Sequence, residues 1–537
     1  MKYVERTLKP VRHVLRILLL GEETSFTEWA IFSLLFGIYL GYSLAIVGTY
    51  GTTVVLEWTR FSHDNTAHLY IPRAIIDNGG QSKLANLGVV WLPLYHLVIA
   101  TFTLVNILYY TGLAGSLVNI FFTASTAVLL YRIVRGKLGI IASIVYGLNM
   151  YTVLHASSSY MVPIGQFLTL ASIYYFEKYL ETNLKRETVK SIIYGILATI
   201  SRYEAWIPIF LMFIIFTLRE SFKTKYSTAL AYSNLYLWGF AGWLLYNMVI
   251  FNNPLQFIHH PSAGASGYYL MVLRKIMFPL EINCLNIAST TLTLAGPVIL
   301  LTILVIFPIL ESRKNILPLT IYASPLIFLL AEGPELLIKD HPLYFYFLLP
   351  FILTLSFKPL NVFVKYLKKK NMGKALAATC IVVLAILAFQ TLYELNKHAS
   401  AFQEINSTYY DYLEYRKYAE TLANYLSQTG GYILYSSLIG SYRFSVVAAI
   451  SPRIIFDEYD LPLYLNVSKT PWNYNVSIVI LPSPTLYWSI RESATALVGK
   501  ENYMTLFYEN SKWRTLFLKH YYKYATYNNL EIYFKQS

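Results

Sequence analysis

VVWLPLYHLVIATFTLVNILYY, from Val89 to Tyr110, is the stretch on which the fold turns. It is apolar and long enough to cross a membrane, for which about 20 residues suffice. If it crosses, the loops YRIVRGK (131–137) and EKYLETNLKRETVK (177–190) are inverted to the outer side, away from the other basic loops. If it enters and returns, opened by Trp91 and Pro93, they all share one side. Short Lys- and Arg-rich loops stay cytoplasmic, so the second arrangement is expected: an interfacial or re-entrant helix, with an ordinary span as the alternative.

Outward from that stretch, about eleven apolar segments of spanning length begin near Trp29, Leu117, Ile140, Met161, Ser191, Trp206, Ala229, Ile287, Leu317, Leu343 and Ala375. Alternating them from a cytoplasmic N-terminus puts RESFKTK (219–225), ESRKN (311–315) and KPLNVFVKYLKKKNMGK (358–374) on the same side as the two loops above. The outer side receives residues 51–88, tips near Ser157 and Arg202, a loop from Phe251 to about Asn286, the tip AEGPELLIKDHP (331–342), and everything after about residue 394. In that last part charges return and the short β-type runs YILY, RIIF, VSIVIL and LEIYF alternate with helical ones. The expected fold is an α-helical polytopic membrane protein, with juxtamembrane helices in the first outer loop and a C-terminal soluble α/β domain. Its boundaries are 1–393 for the transmembrane domain and 394–537 for the extracytoplasmic one.

Composition agrees. The 537 residues are 56% hydrophobic and only 13% charged, with a mean hydropathy of +0.45, about half the charge density of a soluble surface. The net charge of +14 lies in loops between apolar segments, a pattern that excludes a nucleic-acid binder. Cys284 and Cys380 are too few and too far apart for a disulfide framework or a cysteine metal site. Lys2, Arg6, Lys9, Arg12 and Arg16 precede an apolar run broken by GEET, without a small-residue cleavage site, so the N-terminus is expected to be retained and cytoplasmic. The sequons at Asn406, Asn466 and Asn475 all fall in the expected outer domain.

The first outer loop, EWTRFSHDNTAHLYIPRAIIDNGG (57–80), gathers Glu57, Arg60, His63, Asp64, His68, Arg73 and Asp77. A helix from Asp64 onward would put Asp64 and His68 on one face at i and i+4. A carboxylate near the lipid interface with an imidazole one turn away is suited to taking a proton from a hydroxyl nucleophile; a solvated loop with local ion pairs is the plainer reading. His63, Asp64 and His68 are also metal-ligand types, but no ligand spacing completes a set, so no metal is expected. Arg202 and Glu204 occupy a tip between two short spans. An ionisable group beside lipid is costly unless paired or functional, and Arg202 is able to grip a lipid-linked phosphate through two oxygens. Pairing with Glu204 is the alternative.

DNTAHLYIPRAI (64–75), WLPLYH (91–96), SRYEAW (201–206) and WLLYNMVIFNNPLQF (243–257) resemble, in order and spacing, the landmarks of the GT-C superfamily of polytopic glycosyltransferases, protein O-mannosyltransferase and aminoarabinose-transferase type. The resemblance spans roughly residues 28–360. It implies a membrane enzyme that moves a sugar from a polyprenyl-phosphate donor to a glycan, lipid or protein acceptor on the outer face, with inversion. By position Asp64 matches the catalytic acidic residue, read here as the general base, and Trp91–His96 a juxtamembrane helix. Substrate contacts are expected from His63, His68, Arg73, His96, Arg202, Glu204, Lys339 and His341, with His259 and His260 as cavity candidates.

The sequence departs from that pattern in two places. Many relatives carry a second Asp before the proline of the next outer tip, where this chain reads SYMVP with Val162 before Pro163, and Asp64 is followed by Asn65 where relatives often have two acids. A metal-independent mechanism is therefore expected, with no cofactor. An oligosaccharyltransferase subunit is a weaker reading, because PWNYN (471–475) is the nearest string to its acceptor motif. A transporter or a non-catalytic membrane interaction protein is an equally weak reading; for the transporter, neither related halves nor interrupted helices around a midplane charge are visible.

Overall fold

The structure is a computed structural model, and its description covers residues 24–56, 64–77, 87, 91–259, 313–325, 342–369, 371–374, 378, 420–435, 455–456, 461–489, 491, 500–527 and 530–536. The chain forms two compact units. The first takes its described residues from 1–46, 116–243 and 271–403, the second from 47–115, 244–270 and 404–537.

The first unit is a helical bundle. Helix α1 (Phe26–Tyr50) opens with a capping box: the Ser25 N–H donates to Glu28 Oε2 at 2.8 Å and the Glu28 N–H donates to Ser25 Oγ at 3.3 Å. In the second unit, α2 (Asp64–Asp77), α3 (Leu94–Thr103) and α4 (Asn106–Tyr110) form the first loop. The bundle continues with α5 (Leu113–Val134), then α6 (Gly136–Leu148) and α7 (Met150–Ala156), which are bent by 64° at Asn149. It runs on through α8 (Val162–Thr182), α9 (Lys185–Thr199), α10 (Trp206–Ser221), α11 (Tyr226–Ser233), the start of α12 (Trp238–Phe251), whose residues from 244 belong to the second unit, α13 (Arg313–Ala323) and α14 (Pro342–Lys369). Among the described residues, α1, α5 and the Tyr346–Lys369 part of α14 are each long and apolar enough to cross a membrane.

The stretch that decided the threading is divided. Helix α3 has ten residues, about 15 Å of rise against a hydrocarbon core of about 30 Å. It stops at Thr103, Val105 is extended (φ −83°, ψ 105°), and the five residues of α4 follow. The segment near Ala229 also differs from a single span. Ser233 ends α11, its hydroxyl donating to the Leu230 carbonyl, and a 3₁₀ turn over Asn234–Leu237 separates it from α12. The expected spans near Ile287 and Ala375 lie outside the described residues.

Basic loops collect at one end of the bundle. Arg132 pairs with Glu28 at 2.9 Å. Asn361 donates to the Val134 carbonyl at 2.6 Å, Lys358 pairs with Glu177, and Arg219 donates to the Leu180 carbonyl and Asn183 Oδ1. Loops 131–137, 177–190, 219–225 and the C-terminal part of α14 are thereby linked to one another. A common side for them was the premise of the threading.

The second unit carries a five-stranded sheet in the order β2-β1-β3-β5-β4. β1 (Tyr432–Leu434), β2 (Ile455–Phe456) and β3 (Val476–Pro482) are parallel; β4 (Tyr521–Tyr527) and β5 (Leu530–Lys535) form an antiparallel hairpin on the β3 edge. β3 is buried along its whole length, as a continuous apolar run inside a covered sheet should be. Gly431 (φ +94°) starts β1 where a Cβ would stand 2.0 Å from Ser477 Oγ, so only glycine lets the two strands approach. Helices α15 (Leu461–Lys469), α16 (Tyr503–Glu509) and α17 (Ser511–His520) accompany the sheet, the last two capped by Asn502 and Asn510. The strand runs YILY, VSIVIL and LEIYF are found as β1, β3 and β5, the described residues of RIIF form β2, and β4 is an addition.

Candidate functional site

Helix α2 begins at Asp64, which is half-buried, while Asn65 through Pro72 behind it are buried. A carboxylate in the first turn faces the positive end of the helix dipole, which favours its anion. His68 stands one turn later and is 2% exposed. Its Nδ1 lies 2.9 Å from Nε2 of His96 on α3, a residue with no exposure. The His68 ring also meets Trp91 and Tyr95 edge-on, with centroids 5.0 and 5.7 Å apart. In such a bond one ring donates and the other accepts, so each ring constrains the other's tautomer. An adjacent stripe of α2 (Ala67, Tyr70, Ile71 and Ala74) packs against Ile455 of β2, which ties the Asp64 helix to the sheet.

Arg73, expected at substrate, is engaged inside this loop. It pairs with Asp77, donates to the Thr103 carbonyl at the end of α3, and lies 5.4 Å over the Tyr109 ring of α4. The guanidinium thus clamps three short helices together. The Asp77 partner at i+4 was readable in the sequence; the other two contacts were not.

In the first unit, Arg202 and Glu204 form a bidentate pair: Nε donates to Oε2 at 3.0 Å and Nη2 to Oε1. The Arg202 side chain is 14% exposed and that of Glu204 1%. Gly165 of α8 makes room for it, because a Cβ there would stand 2.2 Å from Arg202 Cγ. Beside this pair lies a polar turn at residues 157–161 that sequence reasoning passed over. Asn119 donates to the carbonyls of His155, Ser158 and Tyr160, and Ser116 to that of Ser157. The run HASSSY (155–160), polar in an apolar stretch, was the available signal.

His63, Lys339, His341 and His260, and the side chain of His259, lie outside the described residues. Among the described residues no group of three or more His, Cys, Asp or Glu side chains is gathered to hold a metal ion.

No protein-family model matches the sequence. No curated protein matches it either. Solved structures do. ArnT from Cupriavidus metallidurans bound to undecaprenyl phosphate is similar over 95% of this chain and 98% of its own, with 10% identity and a TM-score of 0.50. An Archaeoglobus fulgidus oligosaccharyltransferase in complex with zinc and sulfate is similar over 91% of this chain and 71% of its own, with 12% identity and a TM-score of 0.44. The fold is therefore similar to that of ArnT, a polytopic architecture of the kind the sequence landmarks led us to expect. Along nearly its whole length the chain shares the ArnT architecture.

Proposed function

We propose that the protein is an integral membrane glycosyltransferase that transfers a sugar from a polyprenyl-phosphate donor to an acceptor at the outer face. The observation that carries this reading is end-to-end likeness to ArnT, a protein solved with undecaprenyl phosphate, combined with a carboxylate at the first turn of α2. Asp64 removes the proton from the acceptor hydroxyl as that oxygen attacks the anomeric carbon in line, inverting it. The leaving phosphate monoester needs charge neutralisation more than a proton, and Arg202 supplies it, with Lys339 as a further cation. The Arg202–Glu204 pair orients the guanidinium for that task. His68 and His96 hold the Asp64 helix against α3.

The test is transfer of radiolabelled sugar from polyprenyl-phosphate donors in reconstituted vesicles, run with and without exhaustive chelation. Transfer is expected to survive the chelator. A divalent ion at an outer site wants several oxygen ligands, and Val162 stands where a second carboxylate would be. Loss of turnover that magnesium or manganese restores would recast Asp64 as a ligand. No transfer from any such donor would remove the reading as a whole.

The proposed topology has a cytoplasmic N-terminus and an extracytoplasmic sheet domain, since the linked basic loops mark the cytoplasmic end. In a chain whose Cys284 and Cys380 are replaced by serine, single cysteines at Lys137, Lys185 and Lys369 are expected to resist an impermeant maleimide in intact cells. Those at Asn78 and Ser436 are expected to react. Labelling at Lys137 from outside would invert the arrangement.

A further inference from the structure

The bend between α6 and α7 and the turn before α8 interrupt an apolar segment twice, at Asn149 and at residues 157–161. Irregular backbone at membrane depth persists where it is buried in protein or lines a polar cavity. Here the polar groups around it are only partly satisfied. His155 is 1% exposed and Ser157 not at all, yet among the described residues His155 Nε2, Ser157 Oγ and Asn119 Oδ1 have no hydrogen-bond partner. Leaving buried acceptors unpaired costs about 1–3 kcal/mol each, so a group that completes them is called for.

The chemistry of the missing partner follows from the partners already present. His155 Nδ1 lies 2.7 Å from the Tyr151 carbonyl, which accepts only, so that nitrogen carries the proton and Nε2 presents a lone pair. Asn119 donates through its nitrogen to three carbonyls, which turns its oxygen the other way as a second acceptor. The imidazole is fixed in place by stacking on Tyr346 at 4.2 Å and by Tyr160 at 5.1 Å. Tyr346 is itself held by Tyr146, which donates to Gln166. An anion would meet these lone pairs unfavourably. A cation is disfavoured by Arg202, which lies within electrostatic range of His155. A neutral molecule rich in hydroxyl donors remains.

We propose that His155, Ser157 and Asn119 read the hydroxyl groups of the donor's sugar, a neutral sugar, next to the Arg202 that takes its phosphate. The inference rests on the polyprenyl-phosphate reading above and adds the sugar class to it. His155 is then a specificity-determining residue, with Gly165 keeping Arg202 close to it.

The experiment is equilibrium binding of undecaprenyl phosphate and of its mannosyl, glucosyl and aminoarabinosyl derivatives to the full chain in nanodiscs. For the unmodified protein, at least one of the two neutral derivatives should bind about tenfold more tightly than the bare lipid phosphate, and the amino derivative should show no such gain. His155→Phe, which keeps an aromatic ring and removes the acceptor, should erase that gain with affinity for bare lipid phosphate unchanged. His155→Gln, with an acceptor oxygen, should recover most of it. Ser157→Ala gives the same readout if the Phe variant fails to fold. Equal weakening of every ligand would show a merely structural residue, and no change would show a pocket filled by water; either overturns the inference. Unmodified protein that binds the bare lipid without a sugar gain overturns it while sparing the Arg202 role. Failure to bind any of the four removes the donor reading too.

Discussion

Replacing Asp64 by Asn should lower sugar transfer by about 10²–10⁴-fold, the range lost with a general base, while donor affinity stays within about twofold. Asn keeps the shape of the side chain and is well tolerated at the start of a helix, so α2 should persist. Contacts elsewhere on α2 also hold it: His68 meets His96 and Trp91, Arg73 meets Asp77 and Thr103, and Ala67 and Tyr70 belong to the cluster that packs on Ile455. What the amide lacks is a basic lone pair of carboxylate strength. The effect should therefore fall on turnover and leave the apparent donor constant alone. Measurement requires single-turnover transfer beside a donor titration. Activity within about tenfold of the parent would exclude Asp64 as the base.

The sequence made some of this site visible because its interactions are local. Asp64 and His68 are a helical i,i+4 pair, Arg73 and Asp77 are another, and Arg202 and Glu204 are two residues apart. Spacing alone brings such residues together. The parts that stayed hidden depend on distant chain. His68 meets His96 only because α3 stops short and packs beside α2, and His155 is fixed by Tyr346 from α14. The fold followed the same division. Charge placement grouped the basic loops that the structure links at one end of the bundle, and continuous apolar runs marked β3 and β5. YYKYATY (521–527) carries no clean alternation, and it is a strand because pairing with β5 makes it one.

Arg202→Ala should be the most damaging change in the first unit, for two separable reasons. Glu204 is 1% exposed and takes both its described bonds from the Arg202 fork. Removing one partner of a buried pair strands the other charge, at about 3–5 kcal/mol. Independently, the donor phosphate loses a charge-assisted grip worth about 1.5–3 kcal/mol per bond, or roughly ten- to hundredfold in affinity. The double variant Arg202→Ala with Glu204→Gln separates the two effects. Neutralising Glu204 removes the stranded charge, so thermal stability in detergent should return most of the way. Donor affinity should stay low, because nothing replaces the guanidinium. Glu204→Gln alone should bind donor at least as well as the parent, since the fork then faces less negative charge. Arg202→Lys should fall between, a point charge without the planar fork that meets two phosphate oxygens at once. If the double variant binds undecaprenyl phosphate like the parent, Arg202 serves only to satisfy Glu204, and the phosphate must be held elsewhere.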